Sequence, residues 1–307
     1  MLQIYTLPQL IKATYRRRHL KSYIMVAGMV VAFLVSILPL FAVLFHILRQ
    51  GLSSLNLDFF TQLPAPVGEL GGGLANAIIG TAILITLASA VGVPWGIVIG
   101  VYLSEYGKSK FASTVRFSVD MLVSVPSIVI GLFVYEVMVL PMKGFSALAG
   151  GVALGVLMVP TIARTTEEIL KLIPQHIREA GLGLGIPRWK VILFIVLKSQ
   201  QLPISTGVIL AVSRVAGETA PLLFTALSSR FWFDGLTKPI ASLPVQIFNY
   251  AVSPFEDWQR QAWAGALVLV VFVLSINVLI RLLLGQALPL KKLKVWPTTK
   301  ARPLEEK

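Results

Sequence analysis

Six long apolar stretches recur along the chain and are separated by short polar segments. Each is long enough to cross a hydrocarbon core of about 30 Å as a helix, which takes roughly 20 residues. Pro126, inside the third stretch, is expected to kink its helix. The pattern predicts an all-α integral membrane protein with six transmembrane helices. The six stretches are 22–48, 74–103, 117–140, 146–170, 199–226 and 262–284.

Two of these stretches carry small residues at a regular spacing. Gly92, Gly96 and Gly100 recur at every fourth position of the second stretch, and Gly151 and Gly155 do so in the fourth. This spacing lets helix backbones approach each other closely in lipid. We therefore expect tight helix packing at both sets of glycines.

The distribution of Lys and Arg between the polar segments predicts the orientation of the chain. Basic residues cluster at 12–21, at 104–116, at 171–198 and after position 286. The segments 49–73 and 227–260 carry acidic residues and few bases by comparison. Because cytoplasmic loops of membrane proteins are enriched in Lys and Arg, both termini are predicted to be cytoplasmic.

Composition supports a membrane protein and argues against nucleic-acid binding. Of the 307 residues, 56% are hydrophobic and only 13% are charged, and the mean hydropathy is +0.80. A soluble protein would carry about 25% charged residues. The net charge of +13 could suggest a nucleic-acid partner, but the basic residues flank apolar stretches. The chain has no cysteine, which excludes disulfides and zinc–thiolate sites.

No motif for nucleotide binding or catalysis survives inspection. Gly107-Lys108-Ser109 resembles the end of a phosphate-binding P-loop, but Tyr102 stands where that loop needs its first glycine. No nucleophile has a base beside it. We expect that this chain is not an enzyme, that it binds no cofactor or metal, and that any energy source belongs to a partner.

A polar, glycine-rich segment between the fourth and fifth stretches predicts a short helix. Pro174 suits its first turn, and Gly185 followed by Pro187 suits its end. Glu179 is followed by two very small residues, which leave room for another surface to approach. One side of the helix is expected to be apolar because its positions are spaced by four, three and four. Those positions are Ile173, Ile177, Ala180 and Leu184.

Three ionisable residues within the apolar stretches are candidates for a functional role, because charges there are costly. Asp120 and Glu136 in the third stretch are further candidates that lie nearer to its ends. Arg164 follows Pro160 in the fourth stretch, and Arg214 and Glu218 are four apart in the fifth. Four residues are about one helical turn, so that pair is expected on one helix face. The pair could simply neutralise itself and hold helices together. Alternatively, two guanidinium groups offset by one carboxylate would line a net-positive passage for an oxyanion.

Two sequence patterns together resemble a known family of membrane proteins. The segment at 179–198 resembles the EAA loop of ABC-importer permeases, although Gly181 and Lys198 replace an Ala and a Pro of that pattern. The run RVAGETAPLLFTA at 214–226 resembles the PstA-type permeases of bacterial phosphate ABC importers, which also carry Lys at the position of Lys198. The matching positions of the EAA loop are Glu179, Ala180, Gly185, Ile195 and Leu197.

The resemblance covers roughly residues 70–285 and implies the type I importer (MetI-like) permease fold. It implies a coupling loop at 171–198. The distribution of basic residues and the apolar length, and not the resemblance, predict the cytoplasmic segment at 1–21, the first transmembrane helix at 22–48 and the cytoplasmic tail at 286–307. The coupling loop would sit in a groove of the ATPase through Glu179, Ala180, Gly181, Gly185, Ile195 and Leu197. Arg164, Arg214 and Glu218 match family positions associated with phosphate passage.

The resemblance also implies a set of partners in the cytoplasmic membrane. These are a second, PstC-like permease, two PstB-like ATPase subunits that hold ATP and Mg²⁺, and an extracytoplasmic PstS-like phosphate-binding protein. The solute would be inorganic phosphate, and the surroundings a lipid bilayer. ATP-driven closure of the ATPases would then move the coupling helices.

Other interpretations remain open at this point. A permease for molybdate, sulfate or an organic solute would share the loop but lack the intramembrane arginines. A secondary anion transporter would need an inverted repeat and its own ion site, and no repeat relates the two halves. A membrane scaffold leaves Arg214 and Glu218 unexplained. The loop itself could be an ordinary amphipathic cytoplasmic segment.

Overall fold

The computed structural model describes residues 7–66, 69 and 71–283, with side chains described between 18 and 282. Within these residues the structure is helical and contains no β-strand. The α-helices are α1 Leu7–Leu52, α2 Leu57–Thr61, α3 Ala75–Glu105, α4 Lys110–Ser124, α5 Ser127–Val134, α6 Leu140–Met142, α7 Ala147–Lys171, α8 Gln175–Gly183, α9 Arg188–Lys190, α10 Gln201–Ala216, α11 Ala220–Thr225, α12 Leu243–Ala251 and α13 Glu256–Leu283. Two π-helical segments are π1 Tyr135–Val139 and π2 Val191–Leu197.

The six predicted crossings correspond to four single helices and two bent pairs. Among the described residues, Arg18–Leu52, α3, α7 and Glu256–Leu282 are each long and apolar enough to span a membrane. The third crossing joins Lys110–Ser124 to Ser127–Met142 with a bend of 107°. The fifth joins Arg188–Leu197 to Gln201–Ala216 with a bend of 73°. The kink expected at Pro126 is therefore present as a sharp bend in the third crossing, whereas the fifth crossing, expected as a single helix, is a bent pair.

Proline positions account for the break in the third crossing. Pro126 lies between α4 and α5, and Val125 before it has an extended conformation with ψ of 129°. A residue that precedes proline is excluded from the helical region by a clash with the proline ring. The expected kink is thus a full change of direction.

A second proline ends α10 earlier than the sequence pattern suggests. The predicted stretch 199–226 is interrupted at Gly217–Thr219, and α11 starts at Ala220 with Pro221 in its first turn. In a continuous helix, Pro221 could not donate to the Gly217 carbonyl and its ring would clash with it. The chain therefore stops one helix and starts another beside the middle of the bundle.

The helices α3 and α7 pack closely along their length, as the glycine spacing predicts. A Cβ added to Gly92 would lie 2.7 Å from the Cβ of Met158, and one added to Gly96 would lie 2.6 Å from that of Ile162. A Cβ on Gly151 would lie 2.5 Å from that of Leu87. Both series rise in the same direction along the chain, so α3 and α7 run parallel to each other.

The remaining helices are arranged around this pair. Ser146, at the start of α7, donates to the carbonyl of Thr225 in α11, and Gly207 of α10 contacts Thr165 near the other end of α7. Therefore α10 and α11 run antiparallel to α7. Pro221 of α11 in turn packs against Gly131 of α5.

Several predicted boundaries shift in the structure. Helix α1 continues without a break across the predicted boundary between 1–21 and 22–48 and ends at Leu52. The predicted outer segment 227–260 contains α12, whose Leu243 and Tyr250 are buried. Positions 1–6, 284–285 and the predicted tail 286–307 lie outside the described residues, as do the side chains of Lys12, Arg16 and Arg17.

Candidate functional site

The charged residue Arg164 lies on the C-terminal half of α7 and is surrounded by carboxylates. Its Nε is 3.0 Å from Glu168, and its Nη1 is 3.5 Å from Glu167 and 4.0 Å from Asp120. The sequence pattern predicts a single carboxylate, Glu218, that offsets the arginines. Because three acids on two helices meet Arg164, its charge is balanced within this chain.

Glu167 is the centre of this charged cluster. Its side chain is fully buried, and its Oε1 accepts hydrogen bonds from Arg116 at 2.9 Å and Lys171 at 2.5 Å. A buried carboxylate is tolerated only when it is paired and hydrogen-bonded, and Glu167 has both kinds of partner. The cluster ties α4 to the C-terminal end of α7. It was not predicted, although Arg164, Glu167, Glu168 and Lys171 have helical i, i+3 and i, i+4 spacing.

Arg214 and Glu218 lie at the interruption between α10 and α11. Arg214 is in the last turn of α10 with an exposed side chain, and the half-buried Glu218 lies outside both helices. No ion pair within 4.0 Å joins these two described residues. The expectation that they share one face of a continuous helix is wrong, because Pro221 stops the helix before Glu218.

Arg164 and Arg214 lie at different heights along the axis of α7. Gly207 of α10 contacts Thr165, which neighbours Arg164 on α7. From Gly207 to Arg214, α10 rises by about 10 Å at 1.5 Å per residue. Arg214 and Glu218 therefore lie beside the middle of α7, whereas Arg164 lies nearer to its C-terminal end. The three candidate pathway residues therefore lie at two different heights along α7 and do not form one site.

The coupling loop contains a short helix, α8, as predicted. The exposure of its side chains shows which positions face outward and which face the rest of the chain. Glu179 and Ala180 are exposed. The apolar positions Ile177 and Leu184 are 38% and 80% exposed, so this stripe faces outward and is not covered by the chain itself. Ile173 is buried and packs inward. An outward apolar stripe next to an exposed carboxylate fits a docking surface.

Three of the expected docking residues instead build the interior of the loop. Gly181 is buried, and a Cβ there would lie 3.0 Å from Val191 and 3.3 Å from Ile195 in π2. Ile195 and Leu197 are partly buried in the same apolar cluster. The small size of Gly181 therefore lets α8 pack on π2.

Gly185 ends α8 by backbone conformation. Its φ is +76°, in the left-handed region that glycine adopts without a Cβ clash. Its N–H donates to the carbonyl of Leu182, and that of Ile186 donates to the carbonyl of Gly181. These bonds satisfy carbonyls at the helix end, as in the usual C-terminal capping motifs. The predicted helix end at Gly185 and Pro187 is confirmed.

A basic cavity of about 1180 Å³ opens between α8, the C-terminal ends of α3 and α7, and α4. Arg164 lines it, as expected of a charged side chain within an apolar stretch. Glu105 is the acidic residue of its lining, so the cavity carries an excess of positive charge. Its basic residues come from separate segments of the chain: Lys108, Arg116, Arg164, Lys171, Arg178 and Arg188.

Comparisons with known proteins give a consistent result. Residues 92–287 match the sequence model of the family described as "Binding-protein-dependent transport system inner membrane component". The phosphate transport system permease protein PstA of Yersinia pestis is 50% identical over 245 residues, which are 80% of this chain and 83% of that protein. PstA of Pasteurella multocida is 42% identical over 88% of this chain and 96% of that protein.

A solved structure of much lower sequence identity is similar to this chain in its fold. A chain of the MetNI methionine ABC transporter, solved in inward-facing conformations, superposes with a TM-score of 0.56 at 17% identity. The match covers 70% of this chain and 94% of that chain. At this identity the likeness concerns the fold alone.

Proposed function

The chain belongs to the family of binding-protein-dependent transport system inner membrane components, and from this premise we propose that it carries inorganic phosphate. It is a permease subunit of an ATP-driven phosphate importer of the cytoplasmic membrane. The observation that carries the proposal is 50% identity to a phosphate permease across 80% of the chain. The predicted all-α type I importer permease fold is confirmed by the helical structure and the shared fold of the methionine transporter.

The interruption between α10 and α11 is the best candidate for a contact with the passing anion. Irregular backbone at membrane depth is tolerated only where it is buried in protein or lines a wet cavity. Arg214 is exposed at this interruption, and no residue of this chain neutralises it within 4.0 Å among those described. A guanidinium group binds phosphate oxygens through its planar array of N–H donors.

The exposure of Arg214 supports a passage between two permeases. Leu210 on α10 and Phe133 on α5 are each 62% exposed in the single chain. A charged group beside such apolar surface requires a protein neighbour or a water-filled space. We assign that place to a second, PstC-like permease, so that Arg214 and the half-buried Glu218 face the path between the two subunits.

Arg164 occupies a second level of the proposed path, at the cytoplasmic cavity. Its carboxylate neighbours weaken its attraction for an anion, which suits release more than capture. Phosphate would thus meet Arg214 first and leave past Arg164 through the basic cavity.

The energy source is assigned to two PstB-like ATPases that bind ATP and Mg²⁺. The outward stripe of α8 with Glu179 and Ala180 supports a docked partner on the cytoplasmic side, and both termini are assigned to that side. This chain is assigned no cofactor, metal or catalytic activity of its own. A PstS-like phosphate-binding protein is the proposed donor on the other side.

The test is uptake of radiolabelled phosphate by vesicles that contain this chain, the second permease, the ATPase subunits and the binding protein. Uptake is expected only with ATP and the complete set of subunits, and excess sulfate or molybdate should not compete. Vesicles that lack the ATPase are the matched control. Uptake by this chain alone, or transport of sulfate in place of phosphate, would overturn the assignment.

A further inference from the structure

Arg178 is held on the inner side of α8, directly before the exposed Glu179. Its Nε lies 2.9 Å and its Nη2 2.8 Å from Oε1 of Glu105, at the end of α3. Its Nη1 donates to the carbonyl of Ile173 at 2.7 Å, and its Nη2 to that of Leu170 at 3.0 Å. The side chain is 14% exposed. One guanidinium group therefore joins α8 to the ends of both α3 and α7.

The surroundings of Glu105 also hold it in position for this contact. Its side chain is only 5% exposed. A second arginine, Arg188 after α8, donates to the Glu105 backbone carbonyl at 3.0 Å and stacks over the ring of Tyr106 at 4.7 Å. The loop is thus fastened to the end of α3 by Arg178 within α8 and by Arg188 in α9. Charged hydrogen bonds of this kind are shorter and stronger than neutral ones.

The helices that receive this contact cannot slide against each other. Between α3 and α7, a Cβ at Gly100 would lie 2.6 Å from that of Thr166, and one at Gly96 would lie 2.6 Å from that of Ile162. Close-packed interfaces transmit displacement because they have no free volume to absorb it. The sharp bends of the chain lie elsewhere, at Pro126 and near Ser199.

We propose that Arg178 and Glu105 form a latch that makes α8, α3 and α7 one rigid body. A displacement of α8 then moves the α3–α7 pair directly, while the bends at Pro126 and near Ser199 accommodate the motion. The latch rests on the proposed function, because it needs a partner that displaces α8. Arg178 is a positioning residue, since it touches neither solute nor nucleotide.

The first experiment separates ATP hydrolysis from transport in the reconstituted complex. Arg178→Ala and Glu105→Gln are each expected to retain the ATPase and to hydrolyse ATP, while phosphate carried per ATP falls roughly tenfold, within the range that mutations along a coupling route produce. Arg178→Lys should recover part of the coupling because it keeps the charge but not the planar fork. Lys110→Gln is the control, because it removes a positive charge for which no ion pair is found among the described residues. This variant should not change the phosphate carried per ATP.

The second experiment uses the absence of cysteine from the natural chain. Glu105→Cys with Arg178→Cys is joined by a short bifunctional thiol reagent in an otherwise cysteine-free complex. The unlinked double variant should be poorly coupled, and linking should restore phosphate carried per ATP. Each single cysteine variant, treated with the same reagent, is the control.

The outcomes are distinct for the latch and for the proposed function. If linking abolishes uptake that the unlinked variant retains, α8 moves relative to α3 and the latch is wrong. Equal coupling in Arg178→Ala and the wild type would also overturn it. A wild-type complex that hydrolyses ATP but carries no phosphate would instead contradict the proposed function.

Discussion

Among the charged side chains in the apolar segments, Arg214 and Arg164 differ in what surrounds them. Arg164 meets Glu167, Glu168 and Asp120, whereas Arg214 has no carboxylate within 4.0 Å among the described residues. An uncompensated guanidinium group beside a helix interruption is costly unless an anion or a partner completes its surroundings. The two arginines should therefore respond differently to substitution.

Arg214→Gln is expected to reduce phosphate uptake by at least about tenfold, because a hydrogen bond to a charged group contributes roughly 1.5–3 kcal/mol. The complex should still assemble, since the side chain is exposed in this chain. Arg214→Lys should retain an intermediate rate. Radiolabelled uptake measures the effect, and Arg260→Gln at the outer end of α13 is the control. Normal uptake by Arg214→Gln would remove this residue from the path.

Glu167→Gln tests the buried centre of the charged cluster. The substitution keeps the shape but removes the charge that faces Arg116, Arg164 and Lys171. We expect a loss of about 1–3 kcal/mol in stability, seen as a lower unfolding temperature of the purified complex. Glu168→Gln is the matched control because Glu168 is 62% exposed, and exposed ion pairs contribute roughly 1 kcal/mol or less. Equal shifts for both variants would contradict a special role for Glu167.

At the level of elements, the glycine face of α3 leads to a packing prediction. Gly96→Ala places a methyl group 2.6 Å from the Cβ of Ile162, so α3 and α7 must separate. Overpacking of this kind costs about 1–3 kcal/mol. Gly28→Ala in α1 is the control, because no atom lies within 4 Å of the added methyl group. The unfolding temperature should fall for Gly96→Ala and not for Gly28→Ala. An unchanged unfolding temperature of Gly96→Ala would argue against tight packing.

The outward side of α8 leads to a prediction about docking. Glu179→Lys reverses a charge on the exposed surface without disturbing the inner contacts of Arg178 and Gly181. The ATPase should no longer co-purify with the permeases. Glu256→Lys makes the same change at the start of α13, where Glu256 is 87% exposed, and should leave co-purification intact. Retention of the ATPase by Glu179→Lys would discredit the docking surface.

The elements that the sequence predicted are those set by local pattern. Apolar length located the crossings, glycine spacing located the α3–α7 contact, and Gly185 with Pro187 located the end of α8. What it did not predict depends on tertiary contacts between distant segments. Glu167 meets Arg116 across 51 positions and Arg178 meets Glu105 across 73, and no local period signals either pair. Pro221 did offer a signal for the helix break, because a proline inside a helix removes a hydrogen bond.

At the scale of the whole molecule, the parallel packing of α3 and α7 determines how the chain must cross the membrane. Two consecutive long helices can run parallel only if the segment between them returns to the starting side. That segment is the bent pair Lys110–Ser124 and Ser127–Met142. The same reasoning applies to α10 and α11, which run antiparallel to α7. The first bent pair is therefore a crossing and not a loop that turns back, and α10 together with α11 makes the crossing that follows α7.

Because the chain has no cysteine, single cysteines can report the side on which each turn lies. Lys108→Cys and Lys190→Cys should react with a membrane-impermeant maleimide only from the cytoplasmic side. Gly144→Cys and Asp234→Cys should react only from outside, and normal phosphate uptake by each variant confirms a native fold. Gly144 is the decisive position, since it follows the first bent pair directly. If Gly144→Cys reacted from the cytoplasm, the segment 110–142 would not cross, and the parallel contact of Gly96 with Ile162 could not exist in the membrane.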